Sequence, residues 1–328
     1  MSFAMAKNAG NPGRRRASVL IFILGAILFL SGVIAVVMEY SIVEMKLRAP
    51  CAKETSIRQD AYNGLYAAIA ELSEYLEIDS GLHSPRQGWG DLLKDGRAML
   101  PKTSKIEARV VDETGKLPLE KLSEEELEAL LYEIGFSESE CNFIAQKFLD
   151  WTDSDDSARI DGAEKEDYDD NDALPPNRPI RSFDELKYIK DLGAYFFLAD
   201  GQPNEMYEKL ISAASLENTG SDVNFNTANE LVLRAIYKMD EVKFDANIFD
   251  AIAGKTGGIS DGVYWLTSAA DISSRGANPP LRYVGADAKF LRLEISASRG
   301  VAAYRITALC EVSGSSLKIT GLYEGFLR

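Results

Sequence analysis

Between Asp150 and Asp172 the chain places eleven carboxylates and two basic residues, Arg159 and Lys165. Like charges at that density repel one another unless a counter-ion neutralises them, and hard divalent cations do so through oxygen ligands. The spacing has a pattern. With Asp153 as first position, Asp155 is third, Ser157 fifth, Asp161 ninth and Glu164 twelfth, which approximates the calcium loop of an EF-hand. Ala158 stands where that template has a turn glycine, so a calcium loop of another geometry is the form to expect. Its ligands would be Asp153, Asp155, Asp161 and Glu164, around a structural Ca2+. The competing reading is a solvated acidic loop, the usual fate of a charge run. Asp150 and Trp151 bear on the choice. A carboxylate at the C-terminal end of a helix opposes the dipole, and a bound cation relieves that opposition.

Paired carboxylates also serve hydrolases as acid and base. The sequence has no nucleophile elbow and no phosphate loop to accompany them. His83 is the only histidine, in a polar stretch with Gly and Pro, and reads as a solvated loop residue. One histidine is too few for most hydrolase triads and histidine-based metal sites, so the chain reads as non-enzymatic. Cys51, Cys141 and Cys310 are widely spaced and show no metal-binding pattern. They leave room for one disulfide of open pairing and at least one buried free thiol.

Ala17 to Met38 is a 22-residue run without a charge, directly preceded by Arg14, Arg15 and Arg16. As a helix it is about 33 Å long, close to the hydrocarbon thickness of a bilayer. The arginines favour the cytoplasmic side, which puts the body across the membrane. A plain single-pass anchor is one reading. A cleaved secretory signal fits poorly, because the run is long for an h-region and no small-x-small site follows. The chain carries a net charge of −15, and the only charges before Glu39 are four positive ones, which leaves −19 for the remainder. Such a body repels nucleic acid and anionic lipid and suits divalent cations or basic partners.

Helical spacing continues through Ile42, Met45, Ile57, Ala61, Leu65, Ala68, Ile69, Leu72 and Leu76, with Pro50 expected to kink or interrupt it. Asp79 to Gly96 reads as loop. Ser104 to Val111 alternates as a strand and stops at the Asp112-Glu113-Thr114-Gly115 turn. Ser123 and Ser137 each cap a helix with acids in the first turn. Ser182 opens a short helix, and Thr227–Met239 and Asp245–Ala253 are further helical candidates. Lys289–Ala297, Ala303–Glu311 and Leu317–Tyr323 alternate as an antiparallel meander. A helical block between an early strand and later strands reads as a domain inserted into an α/β head.

Val223-Asn224-Phe225-Asn226-Thr227-Ala228 offers side-chain oxygens to the start of a helix. The same word occurs in helix-hairpin-helix modules that bind DNA backbones. Those modules follow it with a Gly-rich hairpin, whereas Ile236-Tyr237-Lys238-Met239-Asp240-Glu241 has no Gly and two acids. A capped helical hairpin within the inserted block is the stronger reading.

Arg16-Ala17-Ser18-Val19-Leu20, running into Ile21-Phe22-Ile23-Leu24, resembles the processing site of type IV pilin-like proteins. By that alignment a peptidase cuts between Ala17 and Ser18 on the cytoplasmic side, and the helix survives. Ala17 replaces the usual Gly, and Phe22 replaces the Glu that most pilins carry. Further words follow in order: Asp112 to Leu117, Asp150-Trp151-x-Asp153-x-Asp155 to Asp161-Gly162-Ala163-Glu164, Pro175-Pro176-Asn177-Arg178-Pro179 before Phe183 and Leu186, and Val223 to Ala228. Together they resemble the K-type minor pseudopilins of bacterial type II secretion.

The resemblance implies an α+β fold. A pilin-like long N-terminal helix and antiparallel sheet would carry a large inserted all-α domain of SAM or helix-hairpin-helix type. The expected division is a leader at 1–17, a transmembrane segment at 18–40, spine helix and first strand at 41–118, the inserted domain at 119–255 and the C-terminal strands at 256–328. It further implies calcium at the inserted domain and a place at the tip of a periplasmic pseudopilus. Its expected partners are I- and J-type minor pseudopilins, the major pseudopilin, the inner membrane and secreted cargo, with no nucleic acid. The alternatives are a minor pilin of a type IV pilus and a membrane-anchored helix-hairpin-helix DNA-binding protein.

Overall fold

The computed structural model describes residues 12–94, 100–169, 172–255 and 264–327, and of 12–20 and 43–53 the backbone alone. The chain divides into two units, the first up to Arg58 and the second from Gln59 on. Helix α1 runs Pro12–Asp79 and belongs to both. In the first unit, Ile21–Ile42 is long and apolar enough to cross a membrane, and its side chains are exposed along the whole run. The helix continues through Pro50, where an interruption was expected. A proline removes one bond from the ladder, and so long a helix keeps the rest.

In the second unit the elements follow as β1 (Lys105–Asp112), β2 (Leu117–Pro118), α2 (Glu124–Ile134) and α3 (Glu138–Thr152). Next come α4 (Gly193–Phe196), α5 (Glu205–Ala213), β3 (Ala214–Ser215), β4 (Val223–Asn224) and α6 (Glu230–Met239). Then come α7 (Asn247–Ile252), α8 (Ala270–Ser274), β5 (Val284–Gly285), β6 (Phe290–Arg299), β7 (Ala302–Ser313) and β8 (Ser316–Leu327). The main sheet is antiparallel in the order β1-β6-β7-β8, with Val110 opposite Leu293 and Ile295 opposite Ile306. Alternate residues of β6 (Leu291, Leu293, Ile295, Ala297) and of β7 (Tyr304, Ile306, Ala308) are buried on one face. Onto that face α1 lays Ala61, Leu65, Ala68 and Leu72, a stripe at helical spacing. The approach is close enough that a Cβ on Gly64 would lie 2.7 Å from the Ile106 side chain and 3.1 Å from that of Ile295.

The helical block between β1 and β6 has its own core, built on Leu130, Leu131, Ile144, Phe148, Phe196 and Ile236. Ser123 and Ser137 start α2 and α3 with capping boxes, each answered by a glutamate three residues on. Leu266, Ile272, Ala277 and Ala286 pack into the same core, so the block extends beyond the expected limit at 255, and the meander begins at Phe290.

The Val223–Ala228 word joins block to sheet. Asn224 is fully buried, and its Nδ2 donates to Asp112 Oδ2 at 2.7 Å and to the His83 carbonyl at 2.8 Å. Thr227 Oγ1 donates to Asp112 Oδ2 at 2.6 Å. Asn226 bonds the backbone at Leu266 and Ala286. These groups cap no helix; Asn229 caps α6, through Val232 N–H at 2.9 Å. His83, expected in solvent, is largely covered and ion-paired with Asp287 at 2.9 Å, which raises its pKa. Cys141 and Cys310 are buried free thiols, and the Cys51 side chain lies outside the described residues.

Candidate metal centre

Helix α3 ends at Thr152, and Asp153 turns the chain away with extended backbone while its N–H still bonds Leu149. Asp150, one turn earlier, is fully buried. It is held by Arg159, whose Nη1 is 2.5 Å from Asp150 Oδ1 and whose backbone N–H donates to Oδ2 at 3.0 Å. The same Nη1 lies 2.7 Å from Asp153 Oδ2, and Nε lies 3.6 Å from Glu124. The loop then passes tightly against Asp150. A Cβ on Gly162 would fall 1.8 Å from Asp150 Oδ2, so only glycine fits there.

This path brings oxygen atoms of Asp153, Asp155 and Glu164 within 4.8 Å of one another. Two oxygens bound to one calcium ion at about 2.4 Å stand no farther apart than twice that length, so the group has the span of a calcium shell. Glu164 is only 4% exposed, and both its carboxylate oxygens are buried without a hydrogen-bond partner among the described residues. Asp153 Oδ1 and Asn177 Oδ1 are in the same condition. Asn177 donates to the Asp155 carbonyl at 2.8 Å and to Asp156 Oδ1 at 3.1 Å, which sets it beside the loop. Burial first, and then the charges of Asp150, Asp153, Asp156 and Asp155, push the Glu164 carboxyl up to about 6. Buried acceptors without donors are expensive, and a hard cation supplies what they lack.

Asp161 stands apart from this group. Its side chain is exposed, and its backbone N–H donates to Gln146 Oε1 at 2.8 Å. Counting along a linear template placed it among the ligands; the tight Gly162 turn carries it outward. Asp170 lies outside the described residues. Lys165 serves the rim, bonding Asp156 at 2.7 Å and lowering that carboxyl's pKa. Ala17 and Ser18 lie in the backbone of α1, and their side chains lie outside the described residues.

Residues 108–199, which hold the second half of β1, both capped helices and the whole carboxylate loop, match the family model for type II secretion system (T2SS), protein K. That match covers less than a third of the chain. A solved structure agrees in fold: a chain of the GspK-GspI-GspJ complex from the enterotoxigenic Escherichia coli type 2 secretion system. The TM-score is 0.60 at 15% identity, over 84% of this chain and 99% of that one. No curated protein sequence matches. The fold shared with that chain is α+β, a long helix with an antiparallel sheet interrupted by a helical block.

Proposed function

We propose that the chain is a minor pseudopilin at the tip of a type II secretion pseudopilus, where it initiates assembly and supports protein export across the outer membrane. One observation carries the reading. The helix that bears the membrane-length apolar run also supplies the stripe buried in the head, and the sheet it covers is split between β1 and β6 by a large helical block. A subunit so built is anchored and pilin-like, yet too bulky for others to stack upon. Phe22, where most pilins carry Glu, removes the carboxylate that would pair with a neighbour's N-terminus. Partners of I- and J-type are supported by the solved complex that shares its fold. The role is structural rather than enzymatic. The arginines before the anchor put its N-terminus in the cytoplasm and the head in the periplasm, at the inner membrane. Co-expression with the I- and J-type chains of the same organism, followed by affinity purification from membranes, tests this. A stoichiometric three-chain complex is the expected result, and recovery of this chain alone contradicts it.

Calcium completes the reading. Asp153 Oδ1, Asp155 and the two Glu164 oxygens would hold it, and its charge would offset their mutual repulsion. Trp151, buried two residues before Asp153 in the chain, provides a test through sensitised terbium emission. Emission that saturates, and that calcium displaces, is expected. Equal melting of the head in calcium and in chelator, with no such emission, contradicts it.

A further inference from the structure

The main sheet is covered unevenly. On its core face, β1 is flanked by the turn that buries Trp89 and Leu92, and α1 lies across β1 and β6. On β7, Tyr304, Ile306 and Ala308 are 4%, 0% and 0% exposed. Their direct partners on β8, which share that face, are Phe326, Glu324 and Leu322. Phe326 and Leu322 are 43% and 41% exposed, and Ile319, opposite the buried Cys310, is 39% exposed. One strand farther along, the same face passes from covered to open. Widths give the reason. A helix is about 10 Å across and strands lie about 4.8 Å apart, so a single helix with a turn at the β1 side cannot roof all four strands.

The open strip has a wall. Tyr62 on α1 donates its hydroxyl to Glu324 Oε2 at 2.7 Å, and Tyr66, one turn on, stands 6.2 Å from Tyr62 between ring centres and is itself exposed. The result is a trough with α1 tyrosines along one side and Ile319, Leu322 and Phe326 as its floor. From Ile319 to Phe326 the floor runs about 23 Å, or roughly four helical turns.

We propose that this trough seats the spine helix of a second pilin-like chain, laid beside α1. Floor side chains that point up from a sheet need a roof. A strand added to the free edge of β8 would satisfy its backbone and leave them open. The stripe Ala61, Leu65, Ala68 and Leu72 shows what such a helix offers to such a sheet, and the second helix repeats that packing one step over. In a strongly acidic chain the floor carries a single carboxylate among the described residues, Glu324, whose Oε2 accepts from the Tyr62 hydroxyl at the trough's wall, so the rest of the floor offers an apolar surface. The proposal rests on the pseudopilin reading and names the surface that reading would use.

The test is a photocrosslinking residue at position 322, and separately at 323, in the full-length chain expressed in membranes with its I- and J-type partners. Tyr323 lies on the opposite face of the same strand. Position 322 is expected to crosslink to the spine helix of a partner, mapped by peptide mass, and 323 is not. Leu322→Asp should lower recovery of the complex at least tenfold with the melting temperature of the head unchanged, and Tyr323→Asp should leave recovery as it was. A complex in which 322 crosslinks to a partner's strand, or to no partner, overturns the trough while the pseudopilin reading stands. If the unmodified chain recovers neither partner, the reading fails and the trough with it.

Discussion

Arg159 Nη1 lies 2.7 Å from Asp153 Oδ2, while Oδ1 of the same carboxylate is buried without a partner. One oxygen of this aspartate is thus paired with a cation built into the chain, and the other has no partner among the described residues. Arg159 cannot serve both sides, because its guanidinium is already committed to the buried Asp150 and to the edge of Glu124. The unmet acceptors gather on the other side, at Asp153 Oδ1, Glu164 and Asn177.

Glu164→Gln should therefore change sign with the medium. In chelator it removes a buried carboxylate from among other carboxylates and should raise the melting temperature by about 2–4 °C, the shift that one kcal/mol gives a body of this size. In saturating calcium it removes a ligand and should lower the melting temperature. Asp161→Ala should do little in either medium, since only its backbone N–H is engaged. Thermal scans of the three proteins in both media decide the matter. A uniform loss for Glu164→Gln would contradict a cation role.

Acid should compete with calcium at the same residue. The Glu164 carboxyl is pushed up from 4.5 to about 6 in the folded head. A carboxyl raised on folding binds its proton more tightly in the native state, so metal-free stability from this group is greatest at low pH and falls as pH rises from about 4.5 through about 6. Calcium needs the deprotonated form, so its affinity should weaken as pH falls below about 6. Calcium titration by calorimetry from pH 5 to 7.5 checks this, and a pH-independent affinity would contradict it.

Arg159→Ala should be among the most damaging single changes in the head. Asp150 is fully buried, and the substitution leaves its charge without the guanidinium. Removal of one partner from a buried pair costs about 3–5 kcal/mol. Urea unfolding in calcium is the measure. Arg159→Lys should recover only part of the loss, because an ammonium cannot reach Asp150, Asp153 and Glu124 from one plane.

Local pattern explains what the sequence disclosed. The meander alternates apolar and polar residues because one face meets α1, and the two capping boxes lie within four residues each. The nearness of Asp153, Asp155 and Glu164 was legible because carboxylates of one loop recur within twelve positions. Asn177 was not, since it arrives from beyond a second loop and joins through hydrogen bonds to Asp155 and Asp156. Asp161 was misplaced because a template counts positions, whereas the fold turns at Gly162 against Asp150. His83 was read as solvated because its partner Asp287 comes from the far end of the inserted block. Helix α5 was missed, although Asn204 before Glu205 is a cap that bonds the N–H groups of Met206 and Tyr207.

Asn224→Ala should loosen the joint between block and sheet. The substitution strips Asp112 Oδ2 of one donor, the His83 carbonyl of another and the Asn226 N–H of its acceptor, all at a fully buried position. With each newly unpaired buried group costing about 1–3 kcal/mol, a loss of about 3 kcal/mol is expected. Asp112, whose carboxyl burial pushes up to about 6, should move higher still without that donor. Limited proteolysis should then cut near the ends of the block before the rest of the head unfolds. Resistance equal to the unmodified protein would show that the word is not a clamp.

Removal of the leader gives a separate test of the pilin-like reading. The bond between Ala17 and Ser18 lies in helical backbone only a few residues from the start of α1 at Pro12. Helix ends fray, and the first turns of a helix open at little cost, so a peptidase on the cytoplasmic side can take this bond in extended form. A small residue before the cut suits a narrow site. The full-length chain, expressed with a prepilin peptidase, should thus lose residues 1–17 and begin at Ser18 by intact mass. Ala17→Gly should be cut at least as fast, and Ala17→Leu should stay whole while still reaching the membrane, since the apolar run Ile21–Ile42 is untouched. Retention of Met1 in the unmodified chain, or a cut after residue 38 that frees the head from its helix, would remove the anchor on which assembly at a filament tip depends.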